Sequence, residues 1–110
     1  MALHHLTSGE RASVRPLGAA LAQSRSEALF KTDRLEVIRL VLPTGKGMPA
    51  HQVVGDITIQ CVEGVLEVTL PSGTVTLTGG ELVYLAGSVP HGVKALHDAS
   101  ALVTIVLEPS

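Results

Sequence analysis

Apolar and polar residues alternate with a period of two along most of the chain from Leu35 onward. Segments of this kind, rich in Val, Ile, Leu and Thr and bounded by turn residues, predict β-strands. The predicted strands cover residues 35–42, 58–62, 65–70, 74–78, 81–85, 91–95 and 101–107. Many short strands in succession without intervening helices are typical of an antiparallel sandwich or barrel. The sequence therefore predicts an all-β domain.

Turn residues mark the connections between these strands. Glu63 and Gly64 lie between two predicted strands at hairpin spacing, where a glycine can adopt the positive φ that a tight turn needs. Residues 71–73 and 79–80 supply the next two turns. We therefore expect a hairpin at residues 63–64, with the Glu63 side chain in solvent.

Residues 1–34 lack this alternation and are predicted to form an N-terminal arm, followed by a barrel domain of residues 35–110. The arm is rich in Ala, Ser and Arg, and a short helix is predicted over residues 19–29. Glu10 and Glu27 argue against a transit peptide, and residues 17–22 are too short for a signal-peptide core. The arm is expected to pack on the domain or on a neighbouring subunit.

Two histidines are predicted to face the interior. In an extended chain His51 shares one face with four apolar residues, namely Val53, Ile57, Ile59 and Cys61. His91 shares a face with Val93 and Ala95, while Lys94 lies opposite. An imidazole in an apolar interior needs a hydrogen-bond partner or a metal, because its unpaired desolvation costs a few kcal/mol. We predict that His51 and His91 share a pocket, with two unrelated structural histidines as the alternative.

The other histidines and the cysteine are given no functional role. His4 and His5 lie in the arm and His97 in a predicted turn, so all three are expected at the surface. Cys61 is predicted to be inert, because apolar burial raises the pKa of a thiol. A single cysteine excludes an internal disulfide and fits a reducing compartment, so we expect a cytoplasmic protein.

Composition narrows the classes of partner. The chain has 110 residues, the size of one domain, and a net charge of −2 that offers no basic surface to nucleic acid. Phe30 and Tyr84 are its only aromatic residues, so the usual stacking platforms for bases are absent. No apolar run approaches the roughly 20 residues that span a bilayer. We therefore expect neither a nucleic-acid nor a membrane partner.

The spacing of glycines and histidines resembles the two motifs of the cupin superfamily. Gly45, His51 and Gly64 match the first motif, which runs Gly, five residues, His, one, His, three or four, Glu, six, Gly. Gly80 and His91 match the second, which runs Gly, five residues, Pro, one, Gly, two, His, three, Asn. Fifteen residues separate the two matches, as in the minimal cupins of bacteria. The resemblance covers about residues 35–107.

The resemblance implies a double-stranded β-helix, a barrel of two antiparallel sheets with a pocket at one mouth, usually homodimeric. Most metal-binding members hold Mn, Fe, Ni or Zn with three His and one Glu. Here Val53 and Ile57 occupy the positions of the second His and the Glu, and neither can bind a metal. Only His51 and His91 remain as metal ligands, with Asp56 as a third if a bulge turns it inward.

A covered outer face gives a physical reason to expect a dimer. Apolar or uncharged residues occupy the outward positions of the first and last predicted strands, namely Val37, Val41, Leu102, Thr104 and Val106. A strand that is apolar on both faces is covered on both faces, by the arm or by a second subunit. Arg39, on the outward parity, is expected to face solvent or to pair across that dimer.

Three functions remain open. The first is binding of a small, mostly apolar ligand, with His51 and His91 as polar anchors and the candidate lining residues Val53, Ile57, Ile59, Cys61 and Tyr84. The second is a metal-dependent enzyme of oxygenase or isomerase type, with Zn, Fe, Mn or Ni on the two histidines and Asp56 or waters completing the shell. The third is metal-free acid–base chemistry by the two histidines. The sequence assigns neither a substrate nor a catalytic residue.

Overall fold

The computed structural model describes residues 4–107, which form seven β-strands and one short 3-10 helix. The helix is Gly18–Gln23, and the strands are β1 (Glu27–Lys31), β2 (Leu35–Leu42), β3 (Gly47–His51), β4 (Ile57–Leu70), β5 (Gly73–Thr78), β6 (Leu82–Leu85) and β7 (His91–Val106). The all-β prediction is confirmed. Within residues 4–107, no helix has the length and hydropathy to cross a bilayer.

Two long antiparallel strands, β4 and β7, form the centre of the molecule. They pair from Ile57 opposite Ile105 to Thr69 opposite Gly92, with register shifts midway. One half of the barrel, which we call the β2 half, adds β1, β2 and β6 to residues 57–61 of β4 and 99–106 of β7. The other, the β5 half, adds β3 and β5 to residues 65–70 and 91–95 of the same two strands.

The two halves share one hydrophobic core, to which alternate residues of the strand segments on either side of the bend contribute. Leu40, Ile59 and Val103 of the β2 half belong to the same buried cluster as Leu66 and Val93 of the β5 half. The halves therefore face each other, with β4 and β7 passing from one to the other. This is the arrangement of a barrel built from two antiparallel sheets.

The predicted hairpin at residues 63–64 is absent, and β4 runs through it as one strand. Register shifts between Cys61 and Leu66 bend β4, and β7 bends opposite. Gly64 does have a positive φ of 79°, but for a different reason from the one expected. A Cβ there would collide with the backbone carbonyl of Asp98, so glycine permits the close approach of β4 and β7 at the bend.

The N-terminal segment contributes a strand to the barrel. The predicted helix over residues 19–29 is wrong beyond Gln23, because residues 27–31 are extended as β1 and pair with β2. Glu27 lies opposite Arg39, and their side chains form an ion pair with an N–O distance of 2.7 Å. Arg39 also donates to the carbonyl of Ser13 at 2.9 Å. The partners of Arg39 therefore lie within its own chain.

The arm covers only part of the outer face of the β2 half. Leu21 of the 3-10 helix is buried, and so is the outward-facing Val41. Farther along the same face, Leu82, Tyr84 and Val106 remain 54%, 59% and 39% exposed. A second subunit on this remaining surface stays a prediction.

Candidate functional site

The structure brings His51 and His91 together. β3 ends at His51, β7 begins at His91, and the two residues are partners in the antiparallel β3–β7 pairing. Their ring centroids are 4.6 Å apart, with the planes tilted by 51°. His51 was expected to lie on one continuous strand with Ile57 and Cys61, but a loop at residues 52–56 separates it from β4. Pairing with β7, and not a continuous strand to Cys61, places His51 beside its partner.

The two rings differ in depth, but each is held by the same kind of hydrogen bond. His91 is only 3% exposed, whereas His51 lies exposed at the rim. Nδ1 of His91 donates to the carbonyl of Val89 at 3.0 Å, and Nδ1 of His51 donates to the carbonyl of Pro49 at 3.3 Å. Because a carbonyl can only accept, the neutral ring carries its proton on Nδ1 and keeps a lone pair on Nε2.

Nε2 of His91 is open to the space beside it. Every fully buried side-chain nitrogen or oxygen of residues 4–107 has a hydrogen-bond partner. Nε2 of His91 forms no hydrogen bond with the described residues, so this atom must be accessible. The ring lines a cavity, and Nε2 is the atom that it can offer to a ligand.

The cavity beside the histidines has a volume of about 260 Å³. Its wall is formed by Ser26, Ile38, Leu40, Met48, His51, Ile57, Ile59, His91, Val93, Val103 and Ile105. The hydroxyl of Ser26 donates to the carbonyl of Val41 at 3.2 Å and accepts from its N–H at 2.8 Å. Among the described wall residues, the two imidazoles are therefore the polar groups left to bind a ligand.

The other predicted lining residues divide between the cavity and places outside it. Ile57 and Ile59 line the cavity. Val53 lies instead in a separate depression beside Glu36 and residues 105–107. Tyr84 points outward from β6, opposite Thr58 of β4, so the structure does not bring it to the cavity.

Cys61 is fully buried, away from the cavity. Its thiol donates to the carbonyl of Glu63 at 3.4 Å. Burial raises the pKa of Cys61, and the negative charges of Glu81 and Glu63 add to the effect. The thiol is therefore held in its protonated, unreactive form.

Several residues of the cavity wall were not predicted as site residues, among them Met48, Ile38, Leu40, Val103 and Ile105. Four of these five follow the inward alternation of β2 and β7, and this signal was available in the sequence. Met48 gave no such signal, because β3 contains both a glycine and a proline.

The described residues do not fit a metal centre with three or four protein ligands. Asp56 does not turn into the cavity, because its Oδ1 accepts the N–H of Gly87 at 2.9 Å. No group of three or more His, Cys, Asp or Glu side chains in residues 4–107 is placed to hold a metal ion. Two imidazoles alone lack the third protein ligand that catalytic zinc sites have.

No family model and no curated protein matches the sequence. Among solved structures, a conserved protein of unknown function from Streptococcus pyogenes superposes with a TM-score of 0.76, at 20% identity over 100% of both chains. A cupin superfamily protein from Desulfitobacterium hafniense has a TM-score of 0.75 at 15% identity, over 88% of this chain and 94% of that one.

An enzyme is also among the similar structures. A mutant of salicylate 1,2-dioxygenase from Pseudoaminobacter salicylatoxidans has a TM-score of 0.67 at 17% identity, over 73% of this chain and 25% of that one. The structural relatives thus include enzymes and proteins of unknown function. These superpositions cover most of the chain, and the one that covers 100% of it includes all seven strands with the bent β4 and β7. The chain therefore has the fold of the cupin superfamily.

Proposed function

We propose that this protein binds a small, largely apolar molecule in the cavity, with His51 and His91 as its polar anchors. The observation that carries the proposal is the pair of imidazoles, 4.6 Å apart, at the edge of an otherwise apolar cavity. Apolar walls with a few convergent polar groups are typical of small-molecule sites. The pair fixes one end of the ligand, and the wall receives the rest.

The wall defines the chemistry of the ligand. A neutral imidazole with its proton on Nδ1 offers an acceptor at Nε2, so the ligand presents an O–H or N–H donor to the pair. Among the described residues no Asp, Glu, Lys or Arg lines the cavity, so the remainder of the ligand is uncharged. A dry cavity of about 150 Å³ can hold benzene. The 260 Å³ here therefore accommodates a single substituted ring or a branched alcohol.

A metal on the two histidines is the second candidate. The observation in its favour is that both Nδ1 atoms donate to backbone carbonyls, the arrangement that commonly orients metal-binding imidazoles. Against it stands the ligand count, since Val53 and Ile57 have no donor atoms and Asp56 is bonded to Gly87. The metal-dependent enzyme is therefore the weaker proposal.

Thermal unfolding with two sets of probes tests both candidates. We expect phenol or cyclohexanol to raise the melting temperature, because a ligand at a hundred times its Kd adds about 2.7 kcal/mol of stability. His51→Gln and His91→Gln should remove this rise, and His97→Gln, an exposed histidine on β7, should keep it. The proposal fails if neither neutral probe stabilises the protein, or if both variants at the site respond like the wild type.

The same measurement with Zn²⁺, Ni²⁺, Mn²⁺ and Fe²⁺ tests the metal. It requires a background in which His4 and His5 are alanine, because adjacent exposed histidines bind metals adventitiously. Stabilisation by a metal that disappears in His91→Gln would favour the metal-dependent alternative over the binding proposal.

A further inference from the structure

The two segments that flank the histidine pair are bonded to each other. The loop of residues 52–56 follows His51, and the turn of residues 86–90 precedes His91. The N–H of Ser88 donates to the carbonyl of Val53 at 2.7 Å. The N–H of Gly87 donates to Oδ1 of Asp56 at 2.9 Å. One loop therefore supports the other, and Asp56 provides the side chain in this contact.

Asp56 is also fixed at its backbone. Its carbonyl accepts the N–H of Val106 at the end of β7 with a distance of 2.9 Å. The residue thus connects three segments: the 52–56 loop, the 86–90 turn and the last strand. A carboxylate anchored in this way can hold a turn in a fixed position, because hydrogen bonds to a charged acceptor are stronger than neutral ones.

The turn that Asp56 holds has an unfavourable backbone. Ser88 has a φ of 66°, a region that residues other than glycine rarely adopt. A Cβ on Gly87 would collide with the backbone carbonyl of Val54, so the two segments approach closely. Such a conformation persists only where its surroundings enforce it. The bonds from Gly87 and Ser88 to the 52–56 loop supply that constraint.

The constrained turn contains the carbonyl group that orients the ring of His91. Val89 lies next to Ser88, and its carbonyl accepts the Nδ1 proton of His91 at 3.0 Å. A movement of the turn would displace this carbonyl and release the ring. The chain of contacts runs from Asp56 to Gly87, along the backbone to Val89, and from there to His91.

We propose that Asp56 is a positioning residue for His91, the buried member of the histidine pair. Its carboxylate holds the 86–90 turn so that the carbonyl of Val89 keeps the proton of His91 on Nδ1 and leaves Nε2 free for a ligand. The expected effect of Asp56 on ligand affinity rests on the function proposed above, whereas its expected effect on the position of the His91 proton does not. The side chain of Asp56 bonds to Gly87 and not to an imidazole, so its effect on His91 passes through the turn.

Nitrogen-15 NMR of the imidazole rings, without ligand, tests the proposal. In the wild type, the His91 shifts should indicate the Nδ1–H form of the neutral ring. Asp56→Ala should shift them toward a mixture of the two neutral forms. Asp56→Asn keeps an oxygen acceptor at the same position and should preserve the wild-type signals.

Asp98→Ala is the matched control. Oδ1 of Asp98 also accepts a backbone N–H, that of Thr44 at 2.8 Å, but at the bend and away from the histidines. It should lower the melting temperature without changing the His91 signals. Wild-type His91 signals in folded Asp56→Ala would overturn the proposal, whatever the change in stability.

If Asp56→Ala does not fold, Asp56→Glu decides, because it keeps a carboxylate but its extra methylene displaces the oxygens from the position that Oδ1 occupies beside Gly87. The proposal requires altered His91 signals in that variant, and wild-type signals would overturn it. Phenol affinity gives the dependent measurement: Asp56→Ala should weaken it about tenfold, by analogy with the loss of affinity when the outer partner of a metal-binding histidine is removed. A wild type that binds no phenol removes the proposed function, while the ring signals still decide the role of Asp56.

Discussion

The bend of β4 and β7 and the mouth of the barrel, where His51 and His91 line the cavity, both hold titratable side chains next to the core. The two regions differ in how many hydrogen bonds their own chain gives to these side chains. At the bend, the carboxylate of Glu63 accepts the N–H groups of Leu17 and Gly18, at 2.7 and 3.0 Å, and the hydroxyl of Ser100. At the mouth, each imidazole has one nitrogen bonded to a backbone carbonyl, and His91 keeps Nε2 accessible. A group saturated by its own chain stabilises the fold, whereas a group with a free acceptor is available to a ligand.

Glu63 was expected in solvent, and its partners explain the difference. Partial burial raises the pKa of Glu63, but the hydrogen bonds from Ser100, Leu17 and Gly18 outweigh this effect and hold the pKa below its ordinary value. The ionised carboxylate fastens the start of the 3-10 helix to the middle of β4 and β7. The charge at the bend therefore has a structural role.

The largest effect is expected for Gly64→Ala at the bend. The new Cβ would meet the carbonyl of Asp98 while the backbone keeps a φ of 79°, so the variant should lose at least about 3 kcal/mol of stability or not fold. Gly45→Ala is the control, with a φ of 82° and open space around it, and should lose only about 1 kcal/mol. Urea unfolding measures both. Equal losses would show that backbone conformation, and not the close approach, sets the requirement for glycine.

Glu63→Ala should cost less, about 2 kcal/mol, because it leaves two backbone N–H groups and one hydroxyl without their acceptor. Glu67→Ala, four residues along the same strand, removes a carboxylate that forms no such bonds with residues 4–107, and should change stability by about 0.5 kcal/mol or less. A similar loss in both variants would contradict the role assigned to the bend.

The pH dependence of unfolding isolates the charge at the bend. Because the folded-state pKa of Glu63 lies below its ordinary value of 4.5, its stabilising effect is complete above that pH and is lost as pH falls through the folded-state pKa. Glu63→Gln should therefore flatten the decline in stability between neutral pH and about pH 3. Hydrogen bonds from threonines also lower the pKa of Glu10, Glu81 and Asp98. These three carboxyls are present in both the wild type and Glu63→Gln, so the difference between the two pH profiles reports Glu63. An unchanged slope in Glu63→Gln would refute this account.

The smallest effect on stability is expected at the mouth. His51 is exposed at the rim, so His51→Gln should change the free energy of unfolding by no more than about 0.5 kcal/mol while it removes ligand binding. Chemical unfolding without ligand measures the first quantity. A loss as large as that of Glu63→Ala would place His51 among the structural residues and end the contrast between the two regions.

Local alternation predicted some strands and failed at others for identifiable reasons. β2 was predicted at its observed bounds, because six of its eight residues are Leu, Val or Ile and none is a turn residue. β4 and β7 were each divided in two, because Glu63 with Gly64 and His97 with Asp98 are typical of turns, while bulges carry the strands through. β1 has a composition that suits helices, and only its pairing with β2 makes it extended.

The site was predicted as far as its signals are local. The motif spacing placed His51 and His91 in one pocket, and the alternation placed Ile57 and Ile59 on one face, but the continuous strand assumed between His51 and Ile57 is a loop. β6 is apolar on both faces, so its sequence could not show that Val83 and Leu85 point inward and Tyr84 outward. The contact of Asp56 depends on Gly87, 31 positions away, and no local pattern encodes it.

The continuity of β4 and β7 has a consequence for how the barrel unfolds. Both strands pass from one wall of the barrel to the other without a loop, so the two walls are joined through the same hydrogen-bonded backbone. Neither wall can melt while the other stays intact, and the protein should unfold as one cooperative unit.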